Sequence, residues 1–265
     1  MLVRVGCSFV HEATNPVHTV LQVEPRAPGV LEQRWDNDPS DVGSTYVDLY
    51  GNPCRRLTIP VGRSSLRYDA LVEVDPSPDP VRPDAREVAP GELPDDAFVF
   101  TLPSRYCPSD ELTDEAWALF GSVEPGWTRV QAICDWVHES IEFGYGSSTP
   151  LTTAVDVYEA RAGVCRDFAH LAVTFCRAFN IPARYVFGYL PDIGVPPPDD
   201  PMDFCAWTEV LLDGQWWTFD PRNNTPRVGR VLIGRGRDAL DVAMITTFGG
   251  AELLTMDVRA EEAVT

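Results

Sequence analysis

Cys165 opens the stretch of this sequence with the clearest capacity for chemistry. The segment Gly163-Val164-Cys165-Arg166-Asp167-Phe168-Ala169-His170-Leu171 reads as a tight turn that feeds a cysteine into the first turn of a helix. Gly163 permits the sharp approach, and Asp167 puts negative charge where the helix macrodipole favours it. Ala169, Ala172, Val173, Cys176 and Phe179 then recur at three- and four-residue steps, which predicts one apolar helix face. A thiol at a helix N-terminus sits against the positive end of the dipole. That position lowers its pKa from about 8.5 and favours the nucleophilic thiolate. Most buried cysteines only pack, so nucleophilic chemistry requires partner groups as well.

The candidate partners are few. The cysteines are Cys7, Cys54, Cys107, Cys134, Cys165, Cys176 and Cys205, and the histidines are His11, His18, His138 and His170. No cysteine pair has zinc-finger spacing, and seven scattered thiols do not read as a disulfide scaffold. His11 and His18 read as strand-end or surface residues. Cys134 and His138 are four apart on a predicted helix but lack a nearby third donor, so they read as core and surface respectively. His170 lies five residues beyond Cys165, roughly 500° around a helix, and points well away from it.

The elements that must position Cys165 follow from the flanking text. Residues 1–75 carry short runs rich in β-branched and aromatic residues, separated by turn signals such as Asn15-Pro16 and Gly51-Asn52-Pro53. They predict a small β-sandwich-like or barrel-like domain. Residues 76–104 hold Pro76, Pro78, Pro80, Pro83, Pro90 and Pro94 among charges and predict a semi-extended linker. Residues 105–265 predict a second domain of helices followed by strands. Val130, Ile133, Cys134, Val137 and Ile141 form one helical stripe. After the Cys165 helix, Arg184 to Leu190 reads as a strand, and Pro191 to Met202 as an irregular loop able to flank a cleft. Asp203 to Leu212 and Gln215 to Phe219 read as a hairpin turning at Asp213-Gly214. The tail from Asp257 is charged and reads as frayed.

Composition bounds the function. Of the 265 residues, 21 are Lys or Arg and 40 are Asp or Glu, a net charge of -19 that argues against nucleic-acid or anionic-membrane partners. The N-terminus lacks a signal-peptide core and no apolar run is long enough to span a bilayer, so cytoplasmic residence is expected.

The order of helix-borne cysteine, strand, and hairpin ending in Asp220-Pro221 resembles the transglutaminase-like superfamily. The matching text is Arg161 to Ala169, Cys176 to Tyr189, Cys205-Ala206-Trp207-Thr208-Glu209-Val210 and Trp217-Thr218-Phe219-Asp220-Pro221-Arg222-Asn223. The N-terminal segment, with Asp48-Leu49-Tyr50-Gly51-Asn52, is similar to the domain preceding the catalytic one in a bacterial branch. The resemblance implies an α+β fold: a papain-like, transglutaminase-like catalytic domain behind a small β-sandwich-like domain. It also implies a hydrolase or acyltransferase acting on a peptide or amide bond. Cys165 takes the nucleophile position and Asp220 the position that orients the base. Arg166, Arg184, Tyr189 and Trp207 are placed along the cleft.

The base position departs from the family pattern, with Cys205-Ala206-Trp207 where the family has His-Ala-Trp. A thiol of pKa about 8.5 takes and returns a proton near neutral pH less well than imidazole does. Three readings stay open. Cys165 acts as an enzyme nucleophile with an atypical Cys205-Asp220 pair and no cofactor. Alternatively, Cys165, Cys205 and Asp220 ligate zinc or iron. In the third reading the chain is an inactive binding relative with a Cys165–Cys205 disulfide.

Overall fold

The computed structural model describes residues 1–26, 28–196 and 200–263. The first domain begins with β1 (Leu2–Ala13), β2 (Val17–Leu21), β3 (Val30–Trp35), β4 (Ser44–Val47), β5 (Pro53–Ile59) and β6 (Gly62–Glu73). Alternation sets their faces: Val3, Val5, Cys7 and Phe9 of β1 and Leu66, Tyr68, Ala70 and Val72 of β6 point inward and are buried. The second domain contributes α1 (Thr113–Phe120), α2 (Trp127–Ser140), β7 (Glu142–Phe143), α3 (Ala154–Ala160), β8 (Ala162–Gly163) and α4 (Cys165–Ala178). It continues with β9 (Ala183–Tyr189), β10 (Cys205–Leu212), β11 (Gln215–Phe219) and β12 (Val231–Gly236). The chain closes with β13 (Ile245–Thr247) and β14 (Ala251–Glu262).

Three four-stranded sheets result, in the orders β14-β1-β6-β3, β13-β2-β5-β4 and β11-β10-β9-β12. The first two share a core that includes Val5, Phe9, Leu21, Leu57, Ile59 and Tyr68, which makes the N-terminal domain a β-sandwich. The same core continues into Ala169, Tyr185, Phe187, Ala206 and Val231 of the second domain. The two domains are therefore welded by apolar packing. Helices α1, α2 and α4 bury a second cluster against Ala183, Val210, Leu212 and Phe219. The expected stripe of α2 is present, with Val130, Ile133, Cys134 and Val137 all buried. Among the described residues, no helix is long and apolar enough to cross a membrane.

Two expectations need correction. Residues 245–262, expected within the 105–265 domain, complete the N-terminal sandwich: β13 pairs with β2, and β14 runs antiparallel to β1 with Glu262 opposite Val3. The tail is thus a strand rather than a frayed end. The free edge of β1 offers a row of backbone donors and acceptors that only another strand can satisfy, and the charges of β14 stay outward. The proline-rich stretch 76–104, expected as a linker, is a strap packed on the second domain. Leu93 and Ala97 cluster with Leu211, Glu87 accepts from Arg129 at 2.9 Å, and Asp79 accepts from Arg230 at 2.8 Å. The prolines disfavour α-helix and sheet there and leave 3₁₀ turns at Pro90–Glu92 and Asp95–Phe100, and the side chains between the prolines still find partners.

Candidate active site

Helix α4 sets the site. It is buried on nearly every side and packs against α1, α2, α3, β9 and β10, so its first turn has a fixed position. Its start is locked locally: the Asp167 carboxylate accepts the Val164 N–H at 2.9 Å and pairs with the Arg166 guanidinium at 2.8 Å. Gly163 is required at the approach, since a Cβ there would lie 2.8 Å from the Cβ of Asp167. Cys165 is the first residue of α4 and is half-buried.

Strand β10 brings the second thiol. Cys205 is its first residue, sits opposite Gly188 of β9, and packs with Val186, Leu190 and Trp207. The Cys165 and Cys205 side chains hydrogen-bond one another, the Ala206 N–H donates to the Cys165 sulfur, and that sulfur lies 3.7 Å from the Phe204 carbonyl oxygen. The Cys205 hydrogen bond, opposed by burial and aided by the nearby Arg222 guanidinium and the Ala206 N–H, holds the Cys165 thiol below the ordinary range. Helix α4 adds its positive end. Cys205 is pushed well above the ordinary range by the hydrogen bond to Cys165, by burial and by the charge of Asp220. Of the two thiols, Cys165 is therefore the more readily ionised and Cys205 the one that keeps its proton.

Asp220 ends β11 and is buried, but its carboxylate is committed elsewhere than to a base. It accepts from the Asn223 N–H at 3.0 Å, from Asn223 Nδ2 at 2.8 Å and from Arg230 Nη2 at 2.8 Å. Burial alone would raise its pKa, but Arg230 and Asn223 hold it below the usual carboxylate range. Asp220 thus acts on Cys205 through its charge. Among the described residues, no three His, Cys, Asp or Glu side chains converge to hold a metal ion. Cys165, Cys205 and Asp220 do not fit the zinc or iron set considered from the sequence, because the Asp220 oxygens are already bound.

Cys165 lies between two cavities, both of which it lines together with Val164, Asp203, Phe204 and Cys205. One, about 340 Å³, is walled by Phe143, Tyr145, Leu190, Arg222 and Arg227. The other, about 380 Å³, is walled by Tyr106, Arg166, Tyr185, Phe187, Met244 and Met256, where the second domain meets β14.

Of the four residues expected along the cleft, Arg166 is there. Tyr189 is instead a core residue whose hydroxyl donates to the Val23 carbonyl at 2.9 Å. Arg184 donates to Glu209 at 2.7 Å and stacks on Trp216. Trp207 lies buried under the Arg230 guanidinium, 4.8 Å from its ring centroid, with its ring against Gly188. None of the three lines either cavity, although Tyr189 shares the β9 face of Tyr185 and Phe187 and Trp207 the β10 face of Cys205. His170 is sealed in the core, where its Nε2 accepts the Ala239 N–H at 3.1 Å. Cys134 is buried, and His138 meets the Arg222 carbonyl oxygen through Nδ1 at 2.8 Å. Sequence reasoning missed Arg222 and Arg230. Arg222 stood within the Asp-Pro-Arg-Asn text and could have been flagged, whereas nothing local marks Arg230.

A buried helix presenting a cysteine to an antiparallel sheet that carries the remaining site positions defines a papain-like, transglutaminase-like scaffold of cysteine-type enzymes. The model of the transglutaminase-like superfamily matches residues 118–221, and this chain belongs to that superfamily. A solved structure of a candidate cysteine protease from Cytophaga hutchinsonii is 32% identical and superimposes with a TM-score of 0.89, covering 98% of this chain and 90% of that one. An uncharacterized protein of Mycobacterium tuberculosis H37Rv is 31% identical over 229 residues, 78% of this chain and 72% of the relative. One of Mycobacterium leprae is 25% identical over 244 residues, 88% of this chain and 85% of the relative.

Proposed function

We propose that this protein is a cysteine acyltransferase or amidohydrolase acting on a peptide or small-molecule amide bond. The observation that carries the reading is the half-buried Cys165 thiol at the start of α4 between two cavities, its ionisation favoured over that of an ordinary thiol. The thiolate attacks the carbonyl carbon, and the carbonyl electron pair moves onto oxygen. Collapse of that intermediate expels the amine, which takes its proton from the Cys205 thiol and leaves a thioester on Cys165. Water or an acceptor amine then attacks the thioester, gives its proton back to the Cys205 thiolate and releases Cys165. The nearby charge of Asp220 raises the basicity of Cys205, which favours that return transfer. The seven unpaired thiols suit a reducing compartment, the cytoplasm.

Acyl-enzyme trapping tests the reading. Wild-type protein incubated with activated esters and amides should gain one acyl group at Cys165 by peptide mass spectrometry, and Cys165→Ala should gain none. Cys205→His restores imidazole and should raise amide turnover by about 10²–10⁴-fold. A folded Cys205→His variant without acylation or turnover would sink the proposal.

A further inference from the structure

We propose that Cys165 and Cys205 form a dithiol–disulfide couple through which the protein reduces small organic disulfides. It rests on a different observation from the acyl chemistry, namely two thiols of unequal burial lining the same two cavities. Both thiols line the two cavities, but Cys165 is half-buried whereas Cys205 is only 4% exposed. That asymmetry is what an attacking and a resolving thiol require. Of the other buried thiols, Cys7, Cys107, Cys134 and Cys176 belong to the apolar cores, and neither they nor Cys54 line either cavity.

The surroundings fit the substrate class. The cavities meet at Cys165 and measure about 340 and 380 Å³, each at the size of a small ligand site. A disulfide lying across the thiol would place one organic half in each. Tyr185, Phe187, Phe204 and Met256 give one half an apolar wall, and Arg222 gives the other a cation.

The exchange balances without a base or metal. The Cys165 thiolate attacks one sulfur of R–S–S–R, forming a mixed disulfide and expelling RS⁻. The expelled thiolate accepts the Cys205 proton and leaves as RSH. The Cys205 thiolate then attacks the Cys165 sulfur, closing the Cys165–Cys205 disulfide and expelling a second RS⁻, which takes a proton from water. The cysteine pair is oxidised by two electrons and the substrate disulfide is reduced by two. The leaning of the pair toward a Cys165 thiolate favours the first step at neutral pH.

The test uses the full chain with oxidised glutathione and with hydroxyethyl disulfide, followed by acid quench, alkylation and peptide mass spectrometry. Wild-type protein should lose two of its seven free thiols. The loss should map to a Cys165–Cys205 linked peptide and reverse with dithiothreitol. Cys205→Ala should stop at a stable mixed disulfide on Cys165. Cys165→Ala should leave Cys205 unreacted, and circular dichroism confirms that both variants are folded. Two results overturn the proposal: wild-type protein that retains all its thiols, or one that keeps an unresolved mixed disulfide on Cys165. Neither depends on amide turnover, so the acyl-transfer reading is judged separately.

Discussion

Arg230 clamps Asp220. Its Nη2 donates to Asp220 Oδ2 at 2.8 Å, while its Nε donates to Asp79 Oδ2 at 2.8 Å from the proline-rich strap. The aspartate at the position that would orient a base is thereby tied to a cation, and the strap is tied to the site.

Arg230→Met should therefore be costly. It would leave the buried Asp220 and the partly buried Asp79 without their cation, a loss of about 3–5 kcal/mol by urea unfolding at pH 7. The depressed pKa of Asp220 contributes stability that is full above the unfolded carboxylate value of about 3.9 and is lost as pH falls through the folded value. In the variant the carboxyl no longer gains by ionising. The gap between wild type and variant should thus shrink as pH drops below about 4. An unchanged gap at acid pH would mean that Asp220 is not the group released.

Cys165 should be the thiol most open to iodoacetamide. Its labelling rate should rise through a midpoint below the free-cysteine value of about 8.5. Burial pushes Cys7, Cys107 and Cys176 up to about 12, so they should stay unlabelled in the native state at neutral pH. Cys205→Ala removes the hydrogen bond to Cys165 and should move the midpoint upward. Faster labelling at any other cysteine, with Cys165 reduced, would contradict the electrostatics drawn for the site.

His170 should give the fold a pH slope of its own. Burial lowers its pKa to about 3, with Asp167 pulling the other way and Arg166 and Arg177 adding to the fall. The unfolded chain binds the proton near pH 6.5 and the folded chain does not. Stability from this residue is therefore full above about 6.5 and declines steadily toward about 3. His170→Gln should flatten unfolding free energy across that window, measured at successive pH values. The same slope in the variant would assign the dependence to another group.

Sequence alone determined the elements whose causes are local. The Cys165 helix is legible because capping at Val164–Asp167 and a 3.6-residue apolar period act within one turn or two. The β10–β11 hairpin is legible because Asp213 and Gly214 take the positive φ values, +48° and +73°, that a tight hairpin turn needs. The position of Cys205 at the head of β10 follows from that register. Tertiary structure decided what local text cannot hold. The pairing of β14 with β1 joins residues some 250 apart, and edge satisfaction rather than propensity selects it. Period-two alternation marks Arg184, Tyr189 and Trp207 as strand residues, yet which face meets a cavity depends on what packs above the sheet. Asp220 reads as a base-orienting residue until Arg230 donates to its carboxylate while also holding Asp79 of the distant strap. Charge pairing in a buried site depends on distance through space, and sequence separation carries no record of it.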